Sequence, residues 1–211
     1  MTKNIPPEDL ASLDPPPRGQ KHLGRPGVFR DLIVRIAGEG GEGIISTGDM
    51  ITQACARAGL DVYTFKTFPA EIKGGYAMYQ VRASRLKVHN QGDTFDVLCA
   101  FNGEAFDLNR ALLTPGTVLV YDSPGDFTPE IPIGVTAYPV PMTATAKEMH
   151  NPRAKNMVAL GALSTLFSIP ASSIREVIAA KFKRKGEIVV QGNLAAFERG
   201  RALAEALTKA D

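Results

Sequence analysis

Residues 31–43 read D-L-I-V-R-I-A-G-E-G-G-E-G. An apolar run is therefore followed by four glycines within six positions, and the helical spacing of apolar residues begins at Ile44. This layout predicts a strand, a tight turn and a helix whose free N–H groups face whatever lies on the turn. Because glycine has no Cβ, a ligand or a partner backbone can approach such a turn closely.

The spacing of the glycines suggests a nucleotide site. Gly38, Gly40 and Gly43 fit the G-x-G-x-x-G fingerprint of dinucleotide-binding domains, which also needs an acidic residue at the end of the second strand. Here the second predicted strand ends in Lys66, a cation that suits a ligand with an extra phosphate, such as NADP or coenzyme A. Glu42 competes with a phosphate for the same amides. A simple NAD site is therefore disfavoured, and a turn used only for tight strand–helix packing stays an alternative.

Composition excludes several classes of function. A chain of 211 residues suits one α/β domain with a substantial core. Its formal net charge is +2 with acids and bases interspersed, so we expect no nucleic-acid groove and no polybasic membrane patch. No apolar run approaches the roughly 20 residues that span a bilayer, and the polar N-terminus lacks the core of a signal peptide. The expected location is the cytoplasm.

The cysteines and histidines indicate neither a metal site nor a catalytic residue. Cys55 falls in a predicted helix and Cys99 in an apolar strand, where small buried cysteines are common. Neither belongs to a C-x-x-C pair, so the chain cannot hold a four-cysteine iron–sulfur cluster by itself. His22, His89 and His150 share no ligand spacing.

The chain divides into residues 1–29 and 30–211. The first segment has prolines at positions 6, 7, 15, 16, 17 and 26. Because proline lacks an N–H donor and fixes φ, this segment cannot form a helix or an inner strand. It is predicted to be an N-terminal extension, either disordered or laid along a partner subunit.

Strand and helix patterns alternate from residue 30 onward. After the first strand, further strands are predicted over 61–66, 76–84, 94–101, 117–122 and 135–140. Helices are predicted over 44–58, 104–113, 155–168, 170–182 and 194–207. This alternation implies a Rossmann-like three-layer α/β domain, with a mostly parallel sheet and helices on both faces. Ligands of such sheets lie beyond the carboxyl ends of the strands, where residues 38–43, 67–75 and Asn102 should converge.

A second candidate segment is the loop F-P-A-E-I-K-G-G at residues 68–75. It holds Glu71, Lys73, Gly74 and Gly75 between two predicted strands. Alone it is a weak signal, because an acid–base pair on a surface loop contributes only about 0–1 kcal/mol. Its expected position beside the glycine turn makes it a candidate.

Together these segments resemble the γ subunit, or γ domain, of the 2-oxoacid:acceptor (ferredoxin) oxidoreductases. The family's G-x-G-G-Q-G turn corresponds to G-E-G-G-E-G at 38–43, and its S/P-x-E-x-R-G-G loop to P-A-E-I-K-G-G at 69–75. Its N-x-L-G-A-type helix corresponds to N-M-V-A-L-G-A at 156–162. Two positions depart from the pattern. Glu42 replaces a glutamine, which disfavours direct phosphate binding by the turn, and Lys73 replaces an arginine, which keeps the charge but loses the bidentate fork.

The resemblance implies a non-autonomous part of an enzyme. Thiamine diphosphate with its magnesium, and the 4Fe–4S clusters, are implied on α-, β- and δ-type partner subunits. The complex would convert a 2-oxoacid and coenzyme A into acyl-CoA and carbon dioxide, with electrons passing to ferredoxin or an NAD-linked acceptor. This chain is implied to help bind coenzyme A and to assemble the complex. The resemblance assigns no catalytic residue and these binding residues: Gly38, Gly40, Gly41, Glu42, Gly43, Lys73, Gly74, Gly75 and Asn156.

Two other interpretations stay open. One is a stand-alone NADP-type dehydrogenase, although no acid–base residue follows the nucleotide-binding half; the other is a nonenzymatic nucleotide-binding or assembly module. Because the sequence ends after its helical tail, we expect a separate γ polypeptide. Selectivity for the 2-oxoacid is expected on the thiamine-bearing subunits. Pyruvate, 2-oxoglutarate, branched-chain oxoacids, indolepyruvate and phenylglyoxylate all remain candidate substrates.

Overall fold

The computed structural model describes residues 31–69, 74–125 and 127–209. Within them, six strands form one sheet: β1 (Asp31–Glu39), β2 (Asp61–Thr67), β3 (Tyr76–Ser84), β4 (Val97–Ala100), β5 (Val118–Asp122) and β6 (Thr136–Val140). Six α-helices accompany it: α1 (Ile44–Arg57), α2 (Gly103–Arg110), α3 (Met142–Glu148), α4 (Lys155–Leu166), α5 (Ala171–Phe182) and α6 (Glu187–Lys209). Short 3-10 helices lie at Pro152–Ala154 and Lys183–Lys185. The predicted extension 1–29 lies outside the described residues.

The sheet has the order β2-β3-β1-β4-β5-β6. Strands β1, β4, β5 and β6 pair in parallel, whereas β3 is antiparallel to both of its neighbours, β1 and β2. The predicted α/β fold with a mostly parallel sheet is therefore confirmed, with one reversed strand.

Burial on both faces explains why β4 reads as a continuous apolar run. Val97 and Cys99 point into the larger core, which α1, α4, α5 and α6 cover. Leu98 and Ala100 point to the opposite face, into a smaller core that includes Phe106 of α2. A strand that is covered on both faces needs apolar side chains at every position.

The prediction that Lys66 lies at a nucleotide site beside the glycine turn is wrong. A dinucleotide site places the end of the second strand beside the first strand, but β3 separates β2 from β1 here. The Lys66 ammonium instead lies 3.7 Å from a carboxylate oxygen of Asp49 and 5.2 Å from the ring centre of Tyr79. It therefore contacts β3 and α1 and not a ligand site at the end of β1.

The parallel strands place their carboxyl ends at one edge of the sheet. Helices α1, α2 and α3 start there, directly after β1, β4 and β6. None of the described helices combines the length and the apolar character needed to cross a membrane. The edge where these helices begin contains the candidate site.

Candidate functional site

The two glycine segments meet at this edge, as predicted. The backbone N–H of Gly40 donates to the carbonyl oxygen of Gly75 at 2.9 Å. A Cβ on Gly40 would stand 2.9 Å from the carbonyl oxygen of Gly74, which leaves no space for a side chain. Glu71 and Lys73, predicted in the same loop, lie outside the described residues.

Asn156 packs against the end of the glycine turn. Gly43 is the N-cap of α1 and has a left-handed backbone, with φ of 88°. A Cβ at Gly43 would lie 2.6 Å from Nδ2 of Asn156, a residue of the first turn of α4 that is only 7% exposed. The structure therefore joins Gly43 and Asn156. Gly41, in contrast, has no described atom within 4 Å of its Cβ position, so its outer side is open.

Glu42 folds back onto the protein. Its Oε2 accepts hydrogen bonds from the backbone N–H of Glu39 at 2.8 Å and from Nδ2 of Asn102 at 3.3 Å. Its Oε1 accepts a hydrogen bond from the Lys155 ammonium at 2.8 Å. Gly38 must be small for this arrangement, because its Cβ would lie 2.7 Å from Oε2 of Glu42. The geometry favours a role for Glu42 in shaping the turn over contact with a ligand.

Lys155 connects three strand ends from the start of α4. Besides Glu42, its ammonium donates to the carbonyl oxygen of Phe101 at 2.9 Å and lies 3.2 Å from Oδ2 of Asp122. The side chain of Asp122, only 4% exposed, also accepts hydrogen bonds from the backbone N–H and the hydroxyl of Thr143 at the start of α3. Lys155 thereby fixes the ends of β4 and β5 relative to the glycine turn.

Glu42, Lys155 and Asp122 form what we call the ion cluster. Two carboxylates and one ammonium give it a net charge of −1 when all three are ionised. Two N–H groups of the turn are also used internally, since Gly40 donates to Gly75 and Glu42 donates to the carbonyl of Glu39 at 3.1 Å. The turn therefore offers close approach but little positive potential for a phosphate.

A second cluster of polar side chains anchors α2 to the face of the sheet that carries the smaller core. The Arg35 guanidinium donates to the side-chain oxygens of Gln80 and Asn109, both at 2.9 Å, and lies 4.4 Å from the ring centre of Phe95. Burial lowers the pKa of Arg35, yet the group stays cationic at neutral pH. Asn109 in turn donates to the hydroxyl of Tyr76 at 2.9 Å, which holds the residue after Gly75 in place.

The cysteines are packing residues, as predicted. Both are buried, and burial raises the pKa of Cys55 to about 12 and also raises the pKa of Cys99. Their thiols are therefore protonated at neutral pH and are poor nucleophiles. Across the described ranges, no group of three or more His, Cys, Asp or Glu side chains has the arrangement of a metal site.

Comparison with known proteins shows the family. The model of the pyruvate ferredoxin/flavodoxin oxidoreductase family matches residues 33–203. The chain belongs to this family. The γ subunit of a keto/oxoacid ferredoxin oxidoreductase from Geobacter sulfurreducens is 26% identical, with a TM-score of 0.69 over 83% of this chain and 99% of that one. The resemblance to γ subunits is therefore confirmed.

Two longer relatives of the family are also similar. A structure of the 2-oxoglutarate:ferredoxin oxidoreductase from Magnetococcus marinus, with 2-oxoglutarate, coenzyme A and succinyl-CoA bound, shares 67% identity and a TM-score of 0.84. The match covers 87% of this chain and 32% of that chain. Subunit KorA of the Mycobacterium tuberculosis 2-oxoglutarate oxidoreductase is 30% identical over 82% of this chain and 31% of the relative. This γ-type chain thus spans about a third of the length of both relatives.

Proposed function

We propose that this chain is the γ-type unit of a 2-oxoglutarate:acceptor oxidoreductase that forms succinyl-CoA. The observation that carries the proposal is the 67% identity to a relative whose structure contains 2-oxoglutarate, coenzyme A and succinyl-CoA. The complex would release carbon dioxide and pass electrons to ferredoxin or an NAD-linked acceptor. Among the 2-oxoacids that the sequence left open, this similarity favours 2-oxoglutarate.

The role proposed for this chain is to bind coenzyme A and hold the complex together. The resemblance to γ subunits implies that the iron–sulfur clusters, thiamine diphosphate and its magnesium lie on α-, β- and δ-type partners. The two cysteines of this chain, too few for a four-cysteine cluster, agree with that assignment. The surface offered to coenzyme A consists of the glycine turn 38–43, Lys73, Gly74–Gly75 and Asn156. The open side of the turn at Gly41 supports close approach of a ligand, whereas the contact between Gly43 and Asn156 fixes the end of the turn.

Purification of the chain alone and with its partner subunits tests this role. We expect the lone chain to be colourless and inactive, and the assembled complex to oxidise 2-oxoglutarate only when coenzyme A is present. The catalytic efficiency with 2-oxoglutarate should exceed that with pyruvate and branched-chain oxoacids. Oxidation of a 2-oxoacid or of an alcohol by the lone chain would instead support a stand-alone dehydrogenase.

Gly43→Val should weaken coenzyme A binding or assembly of the complex. The added Cβ would collide with the Asn156 side chain, and valine disfavours a φ of 88°. Gly59→Val is a matched control, because Gly59 also has a positive φ of 82° but has no described atom within 4 Å of its Cβ position. We expect only Gly43→Val to raise the KM for coenzyme A or to reduce recovery of the complex. Equal losses in the two variants would show that backbone strain alone matters.

Lys73→Ala should raise the KM for coenzyme A by about ten- to a hundredfold, because a charge-assisted hydrogen bond contributes roughly 1.5–3 kcal/mol. The KM for 2-oxoglutarate should barely change, since that substrate is proposed to react on a partner subunit. Steady-state kinetics with each substrate varied in turn measure both constants, and Lys87→Ala, at the opposite edge of the sheet, serves as control. Equal effects on both substrates would assign Lys73 to structure.

A further inference from the structure

The phosphate groups of coenzyme A need positive charge that the glycine turn does not supply. The ion cluster beside the turn is net negative, and the N–H groups of Glu39, Gly40 and Glu42 are used internally. A phosphate placed there would face the Glu42 carboxylate at short range, where like charges repel strongly. Apart from Lys73, which is proposed above to contact coenzyme A, the cations for the phosphates must therefore come from other segments.

One such segment carries unpaired cations on the surface. We call residues 181–185, which read K-F-K-R-K, the basic segment. Its four basic side chains are exposed, and none forms an ion pair with the described part of the chain. The nearest carboxylate along the chain, Glu187, accepts a hydrogen bond from Gln191 at 2.6 Å. The segment together with Glu187 carries a net charge of +3, from four cations and one anion.

Helix packing places the basic segment at the same end of the molecule as the glycine turn. Helices α4 and α6 run parallel, because Gly200 packs against Val158 whereas Gly192, earlier in α6, has its Cβ position 3.8 Å from Asn151, which precedes α4. The start of α4 holds Lys155 in the ion cluster. The start of α6 therefore lies at that same end, and the basic segment immediately precedes it.

The distance between the two features suits a single extended ligand. Helix α5, which ends in the basic segment, packs against α1, and Arg57 of α1 lies 3.5 Å from Glu176 of α5. Arg57 ends α1, about 20 Å from Gly43, and α5 runs from Glu176 back toward the end of the molecule that holds the turn. Because neighbouring helices pack about 8–10 Å apart, the segment lies on the order of 15 Å from Gly43. Extended coenzyme A is long enough to reach from one to the other.

We propose that the basic segment binds the phosphate groups of coenzyme A, while the glycine turn contacts the uncharged pantetheine arm. This inference rests on the proposed function of the chain. Separation of the two roles explains why a net negative cluster can stand beside a glycine turn in a protein that binds a phosphorylated ligand. The cations of the segment pair with the phosphates, and the close approach allowed by the turn suits the neutral arm.

The test uses the assembled complex and three ligands that differ in phosphate content: coenzyme A, dephospho-coenzyme A and pantetheine. Lys183→Gln, Arg184→Gln and Lys185→Gln are combined in one variant. Its KM for coenzyme A should rise about tenfold, because each exposed charge pair contributes modestly and three are removed. The rise in KM should be smaller for dephospho-coenzyme A, and kcat/KM for pantetheine should not change. A matched control combines Lys87→Gln, Arg199→Gln and Lys209→Gln, which removes the same charges from exposed positions elsewhere.

Three outcomes would overturn the proposal. An unchanged KM for coenzyme A would exclude the segment as a phosphate site, and an equal rise for pantetheine would show that phosphate is not what it contacts. Failure of the triple variant to assemble would show that the basic segment contacts an acidic surface of a partner subunit instead of coenzyme A. These outcomes differ from failure of the proposed function itself, in which the unsubstituted complex would not require coenzyme A and Gly43→Val would not affect its use.

Discussion

Gly200→Val is expected to lower the free energy of unfolding by about 3 kcal/mol or more. The Cβ of a side chain at Gly200 would overlap the backbone carbonyl of Val158, and a Cβ at Gly161 would likewise overlap the carbonyl of Phe197. The two glycines thus allow α4 and α6 to touch backbone to backbone. A backbone carbonyl cannot rotate away as a side chain can, so the helices must separate and the core between them must open.

Gly192→Val on the same helix provides the matched control. The nearest atom to its Cβ position, Nδ2 of Asn151, is 3.8 Å away, which is an ordinary van der Waals distance. Valine also has a higher helix propensity than glycine, so this variant should keep or slightly raise the stability. Urea denaturation of the three proteins measures the difference. Similar midpoints for Gly192→Val and Gly200→Val would show that the close helix contact does not limit stability.

Local pattern predicted most of the strands and helices because burial imposes its period on the sequence. The first strand, the glycine turn and α1 were all expected. Helix α1 ends at Arg57 with Ala58 as its C-cap, and Gly59, the residue after the cap, has a positive φ of 82° and donates its N–H to the carbonyl of Ala56 at 3.0 Å. The order of the strands was not accessible in this way. Insertion of the antiparallel β3 between β1 and β2 depends on pairing between distant segments, which leaves no trace in local periodicity.

Two helix predictions failed for different physical reasons. Helix α3 was missed because M-T-A-T-A-K-E contains only one large apolar side chain and no clear period. Helix α6 begins at Glu187, seven residues before the predicted start at Leu194. Its first turn contains Ile188, Val189 and Val190, whose branched side chains favour strands, and packing in the folded chain overrides this preference.

The sequence predicted only those site residues that belong to recognisable motifs. The glycine segments and Asn102 were expected at one edge, and their described residues do meet there, since Asn102 donates to Glu42 of the turn. Asn156 was a candidate only through the resemblance to γ subunits, and it lies against Gly43 of the turn. Lys155 and Asp122 were missed, because a single charged residue carries no spacing signal. Lys155 is 113 positions from Glu42 in the sequence, so only the closure of the sheet and of α4 brings the ion cluster together.

Lys155→Met should destabilise the folded chain by about 3 kcal/mol, because removal of one partner leaves buried charge uncompensated. Glu42 and Asp122 would then face each other without a cation, and the carbonyl oxygen of Phe101 would lose its donor. We expect a lower midpoint of urea denaturation. Arg110→Met is the control, since its partner Glu130 is 81% exposed and such surface pairs contribute only about 0–1 kcal/mol.

A second substitution distinguishes charge from packing. In Lys155→Met/Glu42→Gln the net charge of the cluster returns to −1, so the double variant should be more stable than the sum of the two single effects predicts. Glu42→Gln alone leaves Lys155 paired with Asp122 and should cost little. If the two substitutions were simply additive, the ammonium would act through the packing of its side chain, for instance over the Phe101 ring at 5.2 Å, and not by compensating the two carboxylates.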